Sequence, residues 1–502
     1  MTRVRALLVG SLFVFGGVLT MSSPGQAGVE PDLGFGGSGV VTVALLDAVS
    51  GITVDSMGRT VVVGLKRDSA TFGHVAIARY LSNGQPDTSL SGDGRVDLAA
   101  GAGSVSAEVR VLADGTIVVA GERSDMADDV FSWDLFLAKV SDTGVPVPGF
   151  GVNGVASSPD EEYGSHAPGA VAISPAGAAI VGVSYNFGGQ LFYVTAGGAA
   201  SELATTEDIS VLGAGCAAFF RQVVDVEFVS ASDIIFTMGL YGGDSDGPGG
   251  LTCSYHQDAV VAVRQTVTGN AVWTHGIPNA ASEGPPVLVA DGVVFRADAK
   301  AAENDALGNS ITVAQHIYRI ANSGERVASW GTNGQVTLRS QAPFLDPTVQ
   351  MVELVGGGFA MVNANIQSSS ADPVGVTVSL LTATGAEDAS FAPVVFQRPS
   401  GFVETELAAT PDGGFVVATT FDAGTPEQTQ LRRYTKTTLP PPPLAPDMET
   451  LTPARLLDTR ANSVTVDGLA AGGPRPLAGS VTKVRIAGRG GVPANASAAI
   501  VN

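Results

Sequence analysis

The sequence predicts an all-β chain folded as a seven-bladed β-propeller from seven repeats of about 60 residues. Three observations predict it. Turn markers recur at near-constant spacing. Short runs rich in Val, Ala, Ile and Thr lie between Gly, Asn and Asp turns, as strands require. Amphipathic helix patterns are absent through most of the chain. One such unit is a small sheet that cannot bury both faces alone. Stacking buries the faces, and radial closure leaves only short edges. An open solenoid or a sandwich array is the alternative arrangement of the same units.

The first marker is a large apolar residue beside glycine, followed by a β-type run. Leu33-Gly34-Phe35-Gly36-Gly37-Ser38-Gly39 precedes Val40-Val41-Thr42-Val43, and Leu90, Phe150, Trp273, Trp330 and Phe391 stand at similar places in later units. The interval from Phe150 to Trp273 is about twice the others, so one copy has decayed near residue 205. The second marker is a turn glycine or aspartate before a wholly apolar run. It occurs at Gly58, Gly115, Gly177, Asp233, Gly292, Gly358 and Gly414, spaced by 56–66 residues, and its fourth copy fills that gap. Runs apolar throughout, such as Thr60 to Val63, fit strands covered on both faces. A third run, Val75 to Tyr80 in the first unit, alternates more and ends in a polar turn at Asn83-Gly84.

The phase of the markers predicts how the ring closes. A turn marker with its strand begins the series at Val40 to Val43, and the last unit ends at Leu431-Arg432-Arg433-Tyr434 with none after it. The N-terminal strand is therefore expected to complete the last blade.

The chain divides by composition. Residues 1–27 read as a signal peptide, with Arg3 and Arg5 before an apolar stretch from Ala6 to Leu19 and small residues up to Ala27. Residues 28–438 form the propeller. Residues 439–449 are a proline-rich, semi-rigid linker. Residues 450–502 read as a partial β-rich module, marked by Pro453 to Arg460 and Gly488 to Ala494, and it stops at Val501-Asn502 where a strand should continue. Arg455, Asp458 and Arg460 are expected to form a structural salt bridge there. The leader places the protein outside the cell or at its surface. The leader's apolar stretch is too short to span a bilayer comfortably, an uncleaved anchor being the alternative reading, and no later segment is long and apolar enough to span one.

Pro31-Asp32 through Phe35-Gly36, Asp55 to Gly64, Ala78-Arg79-Tyr80 with Asn83-Gly84, and above all Asp114 to Gly121 resemble the delta-60 repeat of secreted bacterial proteins. The resemblance is clear over residues 31 to about 150 and loose beyond. It implies a propeller-like domain and assigns no activity to any residue.

The net charge of −21 argues against nucleic acid and anionic lipid as partners. Cys216 and Cys253 fall in one unit and are a candidate disulfide in an oxidising compartment; two unpaired buried cysteines are the alternative. Such a bridge would contribute on the order of 3–4 kcal/mol in the chain-entropy view. The histidines His74, His166, His256, His275 and His316 show no metal-ligand spacing. No nucleophile elbow, phosphate loop or dinucleotide fingerprint occurs. Calcium is the one cofactor with a hint: Asp244 and Asp246 before Gly247, and Asp93 with Asp97, offer oxygens on glycine turns, but neither completes a twelve-residue calcium loop.

A repeat fold without a catalytic motif points to a monomeric, non-enzymatic binding or scaffold protein whose partner is an unidentified protein or glycan. The alternative is a secreted hydrolase or lyase acting on polysaccharide, with carboxylates from several blades meeting at the axis.

Overall fold

The computed structural model describes residues 29–436 apart from several inter-strand segments, the longest being 158–165, 204–216, 244–257, 301–311, 339–348 and 366–373, with short stretches between 454 and 492. The chain separates into two units, Met1–Thr437 and Thr438–Asn502. Among the described residues of the first unit every regular element is a strand, and these form seven antiparallel sheets. The first unit is a seven-bladed β-propeller.

Blade 1 runs outward through Ala48–Val54, Thr60–Arg67, Gly73–Tyr80 and Arg95–Ala102. The other blades repeat this order, with innermost strands Val105–Val111, His166–Ile173, Ala217–Phe228, Val287–Val289, Val349–Glu353 and Val403–Ala409 in blades 2 to 7. In blade 5 the inner edge is split, because Ala280–Ser282 and Val287–Val289 both pair with Gly292–Lys300.

The second strand of each blade explains the wholly apolar runs. Val61 and Val63 pack into the core shared with blade 2, while Val62 packs into the core shared with blade 7. All three have no exposed surface. Side chains on a strand alternate in direction, so a strand sandwiched between two neighbours is apolar at both phases.

The ring closes as the marker phase predicts. Val40–Val43 pairs antiparallel with the last strand, with Val40 opposite Arg432 and Val43 opposite Thr429. Val29–Pro31 adds to the same edge, with Val29 opposite Lys436 and Pro31 opposite Tyr434. Between them Phe35 is fully buried.

Two of the recurrent sequence markers turn out to be two sides of one contact between blades. The large residue at the end of one unit packs on the turn glycine that follows the third strand of the next. A Cβ placed on Gly144 would stand 3.2 Å from Leu90 and 2.6 Å from Val96, and one on Gly385 would stand 2.8 Å from Trp330. Phe35 and Gly84, Phe150 and Gly198, and Trp273 and Gly324 repeat the pairing. A side chain at these glycines would exclude the neighbouring blade's anchor.

A second device ties blade to blade. A basic residue sits opposite the second residue of the apolar run in five blades: Arg79 opposite Val61, Lys139 opposite Val118, Arg264 opposite Ile235, Arg319 opposite Val294 and Arg433 opposite Val416. Four of these reach the same position in the following blade: Arg79 to Asp142 at 2.7 Å, Lys139 to the Ala196 carbonyl at 2.7 Å, Arg264 to Asn322 at 3.1 Å and Arg319 to the Ala383 carbonyl at 3.4 Å. At the closure Arg433 instead reaches back to blade 1, donating to the Gly58 carbonyl at 2.9 Å, and pairs with Asp32 at 3.2 Å. In blades 3 and 6 the position holds Tyr193 and Leu380, and aromatic packing takes over. Tyr193 meets Phe228 across the 3/4 junction, and Phe391 meets Phe415 and Tyr434 across the 6/7 junction.

In the second unit Arg489 pairs with Asp467. Its guanidinium spans both Asp467 oxygens at 2.6 and 2.7 Å and donates to the Leu456 and Leu469 carbonyls. Asp458 and Arg460 lie outside the described residues.

Candidate functional site

The inner strands carry the chemistry. In each of six blades the first hairpin closes with a pair six residues apart, such as Val111 opposite Ile117 in blade 2. Counting inward from that closing pair aligns the blades in height. Three pairs in stand Gly51, Glu108, Asp225, Gln350 and Glu406 in blades 1, 2, 4, 6 and 7. Blade 3 has a bulge at this level, where Ala170 is buried against blade 4. One pair in from closure stand Arg110 in blade 2 and Glu227 in blade 4.

These polar residues are the half-buried phase of strands whose other phase is core. Ala107 and Val109 are buried with blade 1, and Val226 and Phe228 with blade 3, while Glu108, Arg110, Asp225 and Glu227 between them keep partial exposure. All four side chains are thus only partly exposed.

The electrostatics follow from this confinement. Burial and then repulsion from Asp225 and Glu227 hold the Glu108 carboxyl well above its ordinary range. Burial pushes Asp225 up to about 8, partly offset by the Val226 N–H that donates to it at 2.7 Å. Burial also raises Glu227, to about 7, against the charge of Arg110 and the N–H of Phe228. Carboxyls held protonated near neutrality donate hydrogen bonds as well as accept them. Beside them lies Thr237, directly opposite Asp225 on the next strand. Its side chain has no exposed surface and its hydroxyl has no partner. A buried hydroxyl without a partner carries a desolvation penalty that a ligand or water removes.

Among the candidates from motif reading whose side chains are described, none joins this cluster. Cys216, Cys253, Asp244 and Asp246 lie outside the described residues, as does His256. Asp93 accepts the Arg95 N–H at 2.9 Å in a local turn, and Asp97 pairs with Arg95 at 2.9 Å and His74 at 3.1 Å. His316 and His275 sit on third and outer strands, bonded to Gln335 and Arg326 respectively. Among the described residues no three His, Cys, Asp or Glu side chains are grouped to hold a metal ion. Sequence reading missed the axial residues because it aligned units on their apolar runs and glycines. The signal was present one column away: Glu108, Asp225, Gln350 and Glu406 each lie seven residues before the a turn residue, Gly115, Ser232, Gly357 or Gly413.

No family model and no curated protein matches the chain. Solved structures similar to it include the alpha-L-arabinanase of Penicillium chrysogenum, at 12% identity and TM-score 0.37, covering 77% of this chain and 92% of that one. The GH93 alpha-L-arabinofuranosidase of Fusarium graminearum is similar at 10% identity and TM-score 0.39, covering 68% and 98%. The NanB sialidase of Streptococcus pneumoniae is similar at 10% identity and TM-score 0.34, covering 79% and 69%. No functional residue is carried over from them.

Proposed function

We propose that this chain is a secreted propeller that binds a glycan at the axial carboxylate cluster. The observation that carries the reading is the convergence of Glu108, Asp225 and Glu227, from two blades that are not neighbours, next to Arg110. Sugar hydroxyls need both donors and acceptors. Carboxyls that keep their protons near neutral pH supply both within one confined site. Secretion rests on the N-terminal leader alone.

A second reading has a specific observation in its favour. Asp225 and Glu227 stand two residues apart on one phase of a strand, and burial raises both. Glycoside hydrolysis uses such a pair of carboxyls, one as acid and one as base or nucleophile. One experiment separates the two. The full chain is incubated with xylan, arabinan, dextran and chitosan, with binding read by calorimetry and new reducing ends by a colorimetric assay. Binding that Asp225→Asn and Glu227→Gln weaken at least tenfold, with no new reducing ends, is the expected result. Reducing ends lost in Glu227→Gln would establish the hydrolase instead. Binding unchanged in both variants would remove the axis as the site.

A further inference from the structure

The junction between blades 4 and 5 departs from the repeat at two neighbouring places. The residue that bridges back to the end of the third strand is Pro86 in blade 1, Pro146 in blade 2, Pro31 at the closure and Glu387 in blade 6, but Arg326 in blade 5. Proline suits an edge position that needs no backbone donor, so an arginine there has its reason in its side chain. The anchors Phe35, Leu90, Phe150, Trp330 and Phe391 are buried, whereas Trp273 stays partly exposed on Gly324, two residues before Arg326. The guanidinium of Arg326 lies over the Tyr318 ring at 4.8 Å, and its Nε is 3.5 Å from Nε2 of His275. Tyr318 in turn stacks on Phe295 at 5.9 Å. His275 follows Trp273 by two residues on the outer strand of blade 4, on the same phase. Burial, and then the charge of Arg326, hold His275 below its ordinary range, so its neutral ring accepts the Nε–H. Arg79, Arg264, Arg319 and Arg433 each pair with a carboxylate. Among the described residues none pairs with Arg326, its exposed neighbour Glu325 included. Stacking offsets part of the cost of desolvating a guanidinium. It occupies neither terminal nitrogen, and that planar edge is the one that meets a carboxylate bidentately.

We propose that Trp273, His275 and Arg326 form a binding site for a uronic-acid sugar at the outer strands between blades 4 and 5. Arg326 receives the carboxylate, His275 and Tyr318 hold its guanidinium in place, and the open part of the Trp273 indole takes the apolar face of the sugar ring. The site stands apart from the axial strands and does not depend on glycan binding there. A carboxylate alone would suit an acidic peptide equally. The partly open indole beside the guanidinium favours a sugar, whose ring C–H groups lie within reach of its own carboxylate. The net charge of −21 opposes an anionic ligand only at range, since salt screens exposed charges beyond about 8 Å at physiological ionic strength.

The test is calorimetric titration of the full chain with oligomers of galacturonate and mannuronate, and with methyl-esterified oligogalacturonate, dextran sulfate and polyglutamate as controls. A uronate oligomer is expected to bind and the controls are not. Arg326→Pro restores the residue that blades 1 and 2 use at this place, so the blade is expected to fold, and uronate affinity should fall about tenfold or more with the charge-assisted pair. Arg326→Gln should do the same without a proline in the chain. Arg326→Lys keeps the charge but loses the planar fork, and should recover little of the affinity. Asp225→Asn, at the axis, should leave it unchanged. Failure of both uronates to bind at about 1 mM overturns the proposal. So does undiminished binding in a folded Arg326→Gln protein, and so does equal affinity for the methyl ester, dextran sulfate or polyglutamate. Uronate binding that Asp225→Asn weakens as much as Arg326→Gln would place the ligand at the axis and overturn it as well. Loss of the site at Arg326 leaves the axial reading standing, because the two are probed by different variants.

Discussion

At the scale of single residues, Arg79 shows how this fold tolerates buried charge. Its guanidinium, with 1% of the side chain exposed, meets Asp87 at 2.7 Å, Asp142 at 2.7 Å and Ser89 at 2.9 Å. Arg59 joins the same carboxylates and Asp55. Removing one member strands the others in low dielectric. Asp87→Ala is expected to cost about 2–3 kcal/mol at pH 7, read by urea unfolding. Burial opposes ionisation of Asp87, but the hydrogen bonds from Ser89 and the charge of Arg79 outweigh it and hold the carboxyl below its usual range. Its stabilisation is thus present above the unfolded carboxylate pKa of about 4 and is lost as pH falls through the lower folded value. The penalty of Asp87→Ala should therefore shrink toward pH 3, and an equal penalty at both pH values would show that the cost is packing rather than charge. The sequence reading registered Arg79 only as part of a repeat. Its partner Asp142 belongs to the next blade, 63 residues away, and nothing in a single unit reveals which turn the next blade will present. The axial acids were hidden for the same reason: each is one half-buried residue on an otherwise core strand, and only the ring brings them together.

At the scale of elements, the turns were legible because glycine there is required twice over. Gly144 takes a φ of +84°, which side-chain-bearing residues rarely adopt, and it also lies under Leu90 of the preceding unit. Gly92 separates the two requirements. Its φ is +92°, but no atom lies within 4 Å of where its Cβ would be. Gly92→Ala is expected to cost about 1–2 kcal/mol, the left-handed backbone strain alone. Gly144→Ala should exceed it by a further 1–3 kcal/mol or so, because blade 2 must shift off Leu90 and Val96. Chemical unfolding of both variants checks the difference. Equal costs would mean that the junction absorbs a methyl group freely and that the large residue is not an anchor. This pairing also explains the decayed marker. The 3/4 junction is held by Tyr193 against Phe228, so an anchor near residue 205 is not needed to hold those two blades, and the first marker had no reason to persist there.

At the scale of the whole molecule, stability depends on a ring whose last blade is built from both ends of the unit. Among the described residues the outer edge of Gln428–Lys436 is covered by Val29–Pro31 and Val40–Val43, and Arg433 links Asp32, Asp412 and the Gly58 carbonyl across that seam. Deleting residues 29–43 would expose a row of unpaired strand groups and empty the site of Phe35. Every blade leans on two neighbours, so this loss should not stay local. Amide exchange in blade 4, on the far side of the ring, is expected to accelerate along with blade 7, and unfolding to lose its single transition. A permutation distinguishes loss of the contact from loss of the residues. Lys436 lies directly opposite Val29 in the antiparallel pair, so a two-residue Asn-Gly turn can join them as a hairpin. The new ends would fall between Ala44 and Asp47, after Val43 closes its strand and before Ala48 opens blade 1. In that chain the closing strands reach the same edge as a local hairpin instead of across more than 380 residues. It should fold with near-native stability and faster, because the closing contact no longer waits for the ends to meet. If the permutant instead unfolds like the deletion, the N-terminal segment must hold its place through the covalent link from Val43 into blade 1, and ring closure by strand pairing is not what holds the propeller together.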